Sequence, residues 1–218
     1  FHAVILGPKA LTELAWWKHQ LPLASSAGVP FATRFDFPSS SPDTIVHYAD
    51  ASREPSNPLE SGFGAWAVID GTFVFVEGRW LAQEVAKFSI NVLETFIKDA
   101  GAQRFIQHAR SLGCAATHSL AFTDNSTAEA IAEFGRAQTE ALNALNMARQ
   151  QWLHDEGVHQ ASERVASVDN DVADLLSRGD VEEALRFPRS CRLPVQRLHL
   201  TSESVLSPLL RPSKLALA

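Results

Sequence analysis

From residue 44 onward the hydrophobic positions follow two alternating rhythms. Three runs, TIVHYADAS (44–52), GFGAWAVID (62–70) and TFVFVEGRW (72–80), are β-branched and aromatic with partial period-two alternation, which predicts half-buried strands. Between the second and third, Asp70-Gly71 suits a two-residue hairpin turn, so those strands are expected to be antiparallel neighbours. The rhythm then turns helical. Leu93, Phe96, Ile97 and Ala100 share one face of a helix predicted from about Ile90 to Ser111. HSLAFTD (118–124) reads as a buried strand. Asn125 to Gly135 reads as a short helix capped by Ser126 or Thr127 and ended by Gly135. A longer helix at about 138–156 follows, with Leu142, Leu145, Ala148 or Arg149, and Trp152 spaced by three or four. HQASERVAS (159–167) is a weaker strand, and Asp169 or Asn170 is placed to cap a last helix in DVADLLSRG. Such an order predicts an α/β layer fold with both parallel and antiparallel strand pairs.

The flanks differ in character. PKALTELAWWKHQL (8–21) predicts a short amphipathic helix whose Trp16 and Trp17 are expected to pack inward, and the Pro/Ser-rich DFPSSSPD is a loop. The expected organisation is an N-terminal helical connecting segment (1–43), the α/β domain (44–180) and a Pro-punctuated basic C-terminal extension (181–218), read as a strap or linker.

Composition narrows the classes. With 218 residues, 45% of them hydrophobic and 20% charged, the chain suits a substantial buried core rather than disorder. No apolar run reaches the length of a membrane span, so no membrane partner is expected. The opening FHAVILGPKALTEL lacks an initiator Met and the order of a signal peptide, so it is expected to be a piece of something longer. Cys114 and Cys191 lack metal-type spacing and are expected to be reduced thiols in a cytoplasmic or nuclear setting. No His-Glu-x-x-His or Cys-x-x-Cys motif supports zinc. The net charge of −6 divides into −9 for residues 1–180 and +3 for 181–218, and Arg149 is the one Lys or Arg in the 138–156 helix. Bulk attraction to nucleic acid is therefore not expected. GFGAWA (62–67) fits a Gly-x-Gly-x-x-Ala pattern, but a strand and hairpin follow where a dinucleotide site needs a helix.

The chemistry lies in four carboxylates. Asp50 sits near the end of the first strand, Glu94 in the first turn of the long helix, Asp124 at the end of the fourth strand, and Asp174 in the last helix. Each has apolar neighbours, where an unpaired charge is expensive. No Lys or Arg takes a matching internal position in these motifs, so a divalent cation is the expected partner.

The series DAS…GFGAW, INVLE, FTDNSTA and NDVADLLSR, in that order, resembles the ribonuclease H domain of retroelement reverse transcriptases. LTELAWWKHQL resembles the connecting segment before that domain in the tyrosine-recombinase class of retrotransposons and their LTR-type relatives, so the likeness spans about residues 8–180. It implies a ribonuclease H-like fold: a five-stranded mixed sheet, order 3-2-1-4-5, with helices on both faces. It also implies an endonuclease that cuts the RNA strand of RNA-DNA hybrids. Two Mg2+ ions about 4 Å apart, with Mn2+ as a substitute, would activate water and neutralise phosphate charge, and Asp and Glu oxygens suit such hard cations. By the family pattern Asp50 would bridge both ions, Asp174 would complete the nucleophile-side ion, and Glu94 with Asp124 would hold the other. Ser52, Asn125, Arg164 and Asn170 fall at positions expected to touch substrate. Many cellular relatives carry a His six residues before the last motif's Asn; here that residue is Arg164, which implies slower turnover or another proton route. The implied partners are the hybrid and a fused or associated reverse transcriptase polymerase. Two rival readings are a catalytically weak or inactive tethering module of a polymerase, and an integrase- or resolvase-type nuclease. The Asp in ADLLSR, where an integrase would have Glu, counts against the latter.

Overall fold

The computed structural model describes residues 41–134 and 139–200, together with Ala15 and Lys18, which are helical. The chain divides into two units, Phe1–Asp36 and Phe37–Ala218. The rest of the expected N-terminal helix, with Trp16 and Trp17, lies outside the described residues, as do Gly135 and the tail beyond 200.

Among the described residues six strands form one sheet: β1 (Thr44–Ser52), β2 (Gly62–Ile69), β3 (Thr72–Arg79), β4 (His118–Thr123), β5 (His159–Arg164) and β6 (Val195–Arg197). The helices described between residues 41 and 200 are α1 (Ala82–Lys87), α2 (Ile90–Ser111), α3 (Ser126–Phe134), α4 (Glu140–Glu156), α5 (Asp171–Arg178), α6 (Val181–Ala184) and α7 (Arg186–Ser190). Strand order is β5-β4-β1-β2-β3-β6, with β1, β2 and β3 antiparallel and the other pairs parallel. The hairpin closes through Asp70 and Gly71 at φ 47° and 70°, the positive values such a turn requires. The expected five-strand order is present, and β6 extends it to six. That addition has a backbone reason: Phe73 N donates to Pro194 O at 2.8 Å and Leu198 N to Phe75 O at 2.7 Å, covering an edge that would otherwise offer open peptide groups.

Because β1 is central, both of its faces are covered. On one side α2 lays Leu93, Phe96, Ile97 and Ala100 into the larger core, together with Ile45, Ala49 and Ala65 from the strands. Each buried Leu or Phe there contributes roughly 1.5–3 kcal/mol. On the other side Val172 and Leu176 of α5 and Ala184 of α6 cover Phe73 and Phe75. Phe187 of α7 packs against Trp66 and Phe73, so residues 181–200 fold onto the sheet. No helix among the described residues is long and apolar enough to cross a membrane.

The glycines of GFGAWA have a packing role. A Cβ on Gly64 would meet Ser177 N at 2.7 Å and Ala173 O at 2.8 Å, and one on Gly62 would meet Ser177 O at 2.5 Å. The pair forms a trough that lets α5 approach the backbone of β2.

Candidate active site

Sheet register explains why a buried strand should end on an acid. Tyr48 of β1 pairs with Phe122 of β4, so Asp50 and Asp124 each follow two residues beyond the same rung, at neighbouring ends of parallel strands. Glu94 enters from α2. It lies in the second turn rather than the first, because the helix starts at Ile90 and its first turn holds no acid. One carboxylate oxygen from each of Asp50, Glu94 and Asp124 lies within 4.8 Å of the others.

Asp174 stands apart from this trio. Arg178, one turn later in α5, grips its carboxylate, with Nε 2.9 Å from both oxygens and Nη2 2.8 Å from Oδ1. The expectation that no cationic side chain meets the four acids is therefore corrected for Asp174, whose partner is the i+4 residue of its own motif. Its charge still reaches Asp50.

Electrostatics separates Asp50 and Glu94 from ordinary surface acids. Asp50 is 7% exposed; burial pushes its carboxyl up to about 7, with Asp124 and Asp174 pushing the same way and the Ser177 hydroxyl and Arg178 opposing. Burial pushes Glu94 up to about 8, helped by Asp50 and Asp124 and opposed by a bond from Asn125. Glu94 Oε2 is buried with no hydrogen-bond partner. An orphaned oxygen among like charges, in a set of carboxylate donors only, fits a hard divalent cation.

The four expected substrate contacts have varied surroundings. Ser52 Oγ donates to Ser177 O at 2.8 Å and accepts from Gly62 N at 2.9 Å, bonds internal to the fold. Asn125 Oδ1 accepts from Thr127 N at 2.7 Å and Ala128 N at 3.1 Å, so Asn125, rather than Ser126 or Thr127, caps α3. Arg164 is exposed at the end of β5. Asn170 precedes α5, yet its side chain makes no capping bond. With φ −106° and ψ 14° it lacks the extended backbone of a capping residue, and Nδ2 donates instead to Ala49 O at 3.2 Å. A cleft of about 550 Å3 is lined by Ala51, Ser52, Arg53, Glu54, Ile90 and Arg178, among others.

Two hydroxyls that sequence reasoning passed over touch the acids directly. Ser177 Oγ donates to Asp50 Oδ2 at 2.7 Å, and Ser167 Oγ donates to Asp124 Oδ2 at 2.8 Å. They are 127 and 43 residues from their partners, so no local pattern announces them. Arg178 was legible as the i+4 neighbour of Asp174.

The sheet order, with helices on both faces, is the one expected of a ribonuclease H-like α/β fold, extended by β6. No protein-family model and no curated protein matches the sequence. Among solved structures, RNase H1 from the halophilic archaeon Halobacterium salinarum NRC-1 is similar at 17% identity and TM-score 0.45, covering 66% of this chain and 98% of its own. LC11-RNase H1 in complex with RNA/DNA hybrid is similar at 15% identity and TM-score 0.46, covering 65% and 99%. The foamy viral protease-reverse transcriptase in complex with RNA/DNA hybrid is similar at 12% identity and TM-score 0.36, covering 69% of this chain and 22% of its own.

Proposed function

We propose that this chain is the ribonuclease H domain of a retroelement reverse transcriptase, an endonuclease that hydrolyses the RNA strand of RNA-DNA hybrids with Mg2+, or Mn2+ in its place. The observation that carries the proposal is the convergence of Asp50, Glu94 and Asp124, from three separate stretches of chain, with Glu94 Oε2 left unpartnered. The order of the four motifs and of the strands supports it.

A pair of Mg2+ ions bound by these groups would supply an activated water, neutralise phosphate charge and stabilise the leaving oxygen. Asp50, Glu94 and Asp124 would hold the cations, and Asp174 would join them with the carboxylate that Arg178 holds in this structure. Burial and mutual repulsion make Asp50 and Glu94 reluctant to ionise alone, so binding expels protons and the metal requirement rises as pH falls. We assign discrimination for RNA to 2′-hydroxyl contacts along the cleft lined by Ser52 and Arg53. Arg149, 2% exposed, faces inward, so α4 offers no basic grip on a duplex. A fused or associated polymerase domain, delivering the hybrid at high effective concentration, would compensate.

One observation favours the rival reading of a tethering module without activity: Asp174 is already neutralised by Arg178. Incubating the chain with end-labelled hybrid and Mg2+ or Mn2+ separates the two. Fragments ending in 5′-phosphate and 3′-hydroxyl, with duplex DNA left intact, match the nuclease. Uncut hybrid at saturating metal matches the tether.

A further inference from the structure

Ser177 is fully buried, and its hydroxyl faces two acceptors, Asp50 Oδ2 at 2.7 Å and Asp174 O at 2.9 Å. A hydroxyl carries one hydrogen, and an ionised carboxylate attracts it more strongly than a peptide carbonyl. The same residue is gripped from behind, because its own carbonyl accepts from Ser52 Oγ at 2.8 Å, two residues past Asp50 on β1. Only the trough at Gly62 and Gly64 lets this turn of α5 come so close. Packing does not demand the hydroxyl. Ala173, one turn earlier in the same helix, is equally buried without one, and Val172 and Leu176 already anchor the helix.

Resting on the proposed metal site, we propose that Ser177 is a positioning residue for Asp50. Its hydroxyl occupies Oδ2, fixes the carboxylate plane and leaves the other oxygen for a cation. Because Ser177 lies three residues from Asp174, the same bond ties the two aspartates to one helical turn. Ser167 does for Asp124 what Ser177 does for Asp50, but from an exposed position where water competes.

The test is Mn2+ titration calorimetry on the full chain, with thermal midpoints recorded in the absence of metal, for wild type, Ser177→Ala and Ser177→Thr. Loss of a group that orients a ligand costs about 10- to 100-fold in metal affinity. Ser177→Ala is expected to show that loss with its midpoint little changed. Ser177→Thr keeps the hydroxyl but adds a buried methyl, so its midpoint falls while its affinity stays close to wild type. Affinity would then follow the hydroxyl and not stability. Wild-type affinity in Ser177→Ala, or affinity that falls in step with the midpoint across both variants, overturns the positioning role alone. A wild type that takes up no Mn2+ overturns the metal site and this role with it.

Discussion

Helix α2 carries two sets of buried charge one turn apart, and their surroundings treat them in opposite ways. Lys98 Nζ is fully buried, yet it lies 3.4 Å from Asp99 Oδ1 and donates to Ala128 O at 3.2 Å and Ser162 Oγ at 3.4 Å. Glu94, four residues earlier, faces Asp50 and Asp124, with Oε2 unpartnered and its carboxyl pushed up to about 8 by burial. A Glu and a Lys at this spacing ordinarily pair on a helix; here Lys98 turns instead to α3 and β5. Orphaned atoms alone do not distinguish the two places, since Asp99 Oδ2 and Gln160 Oε1 also lack partners. The sign of the surrounding charge does. Mixed signs at Lys98 stitch three elements together, whereas the like signs at Glu94 have no such partner and, on the proposed function, would be completed by a cation from outside.

The largest effects should fall on opposite properties. Asp50→Asn removes a carboxylate worth several kcal/mol to the transition state, so Mg2+-dependent hybrid cleavage should drop by about a thousandfold or more, read in a single-turnover assay. Cleavage near the wild-type rate would remove Asp50 from the machinery. Lys98→Met should instead cost about 3–5 kcal/mol in urea unfolding by stranding Asp99, and Lys98→Met with Asp99→Leu should recover most of it. No recovery in the double variant would show that Lys98 contributes something other than pairing.

The next effect is on pH. Asp50 and Glu94 have folded-state values raised to about 7 and about 8, so the native chain without metal holds protons that the unfolded chain has released. Stability of the metal-free protein should therefore fall as pH rises from about 4 through 8, by an amount on the order of a few kcal/mol. Mg2+ at a hundred times its dissociation constant should restore about 2.7 kcal/mol at the alkaline end. A flat profile from pH 4 to 8 would mean that the acids are not crowded as described. Smallest of all, Arg178→Ala removes an exposed ion pair worth at most about 1 kcal/mol. It should lower the Mg2+ concentration for half-maximal cleavage by no more than about fivefold.

Much of this was readable in the chain. The alternation in residues 44–80 gave the strands, Asp70-Gly71 marked the hairpin, and the Leu93, Phe96, Ile97 stripe located α2 at the bounds observed. Asp124 was legible because a carboxylate closing an apolar strand has few structural uses. What escaped was short or distant. β6 has three residues, too few to show a period, and α1 has six. The Gly62 and Gly64 trough cannot be understood until Ser177, more than a hundred residues later, is seen across it. Asn170 sits at the right position for a cap, but its backbone turns the side chain toward Ala49 O.

The most direct measurement is anomalous diffraction from crystals soaked in Mn2+. Density bounded by the carboxylates of Asp50, Glu94 and Asp124, with Asp174 drawn away from Arg178, is the result expected. Mn2+ bound elsewhere on the protein, with no density among those three carboxylates, would contradict the account.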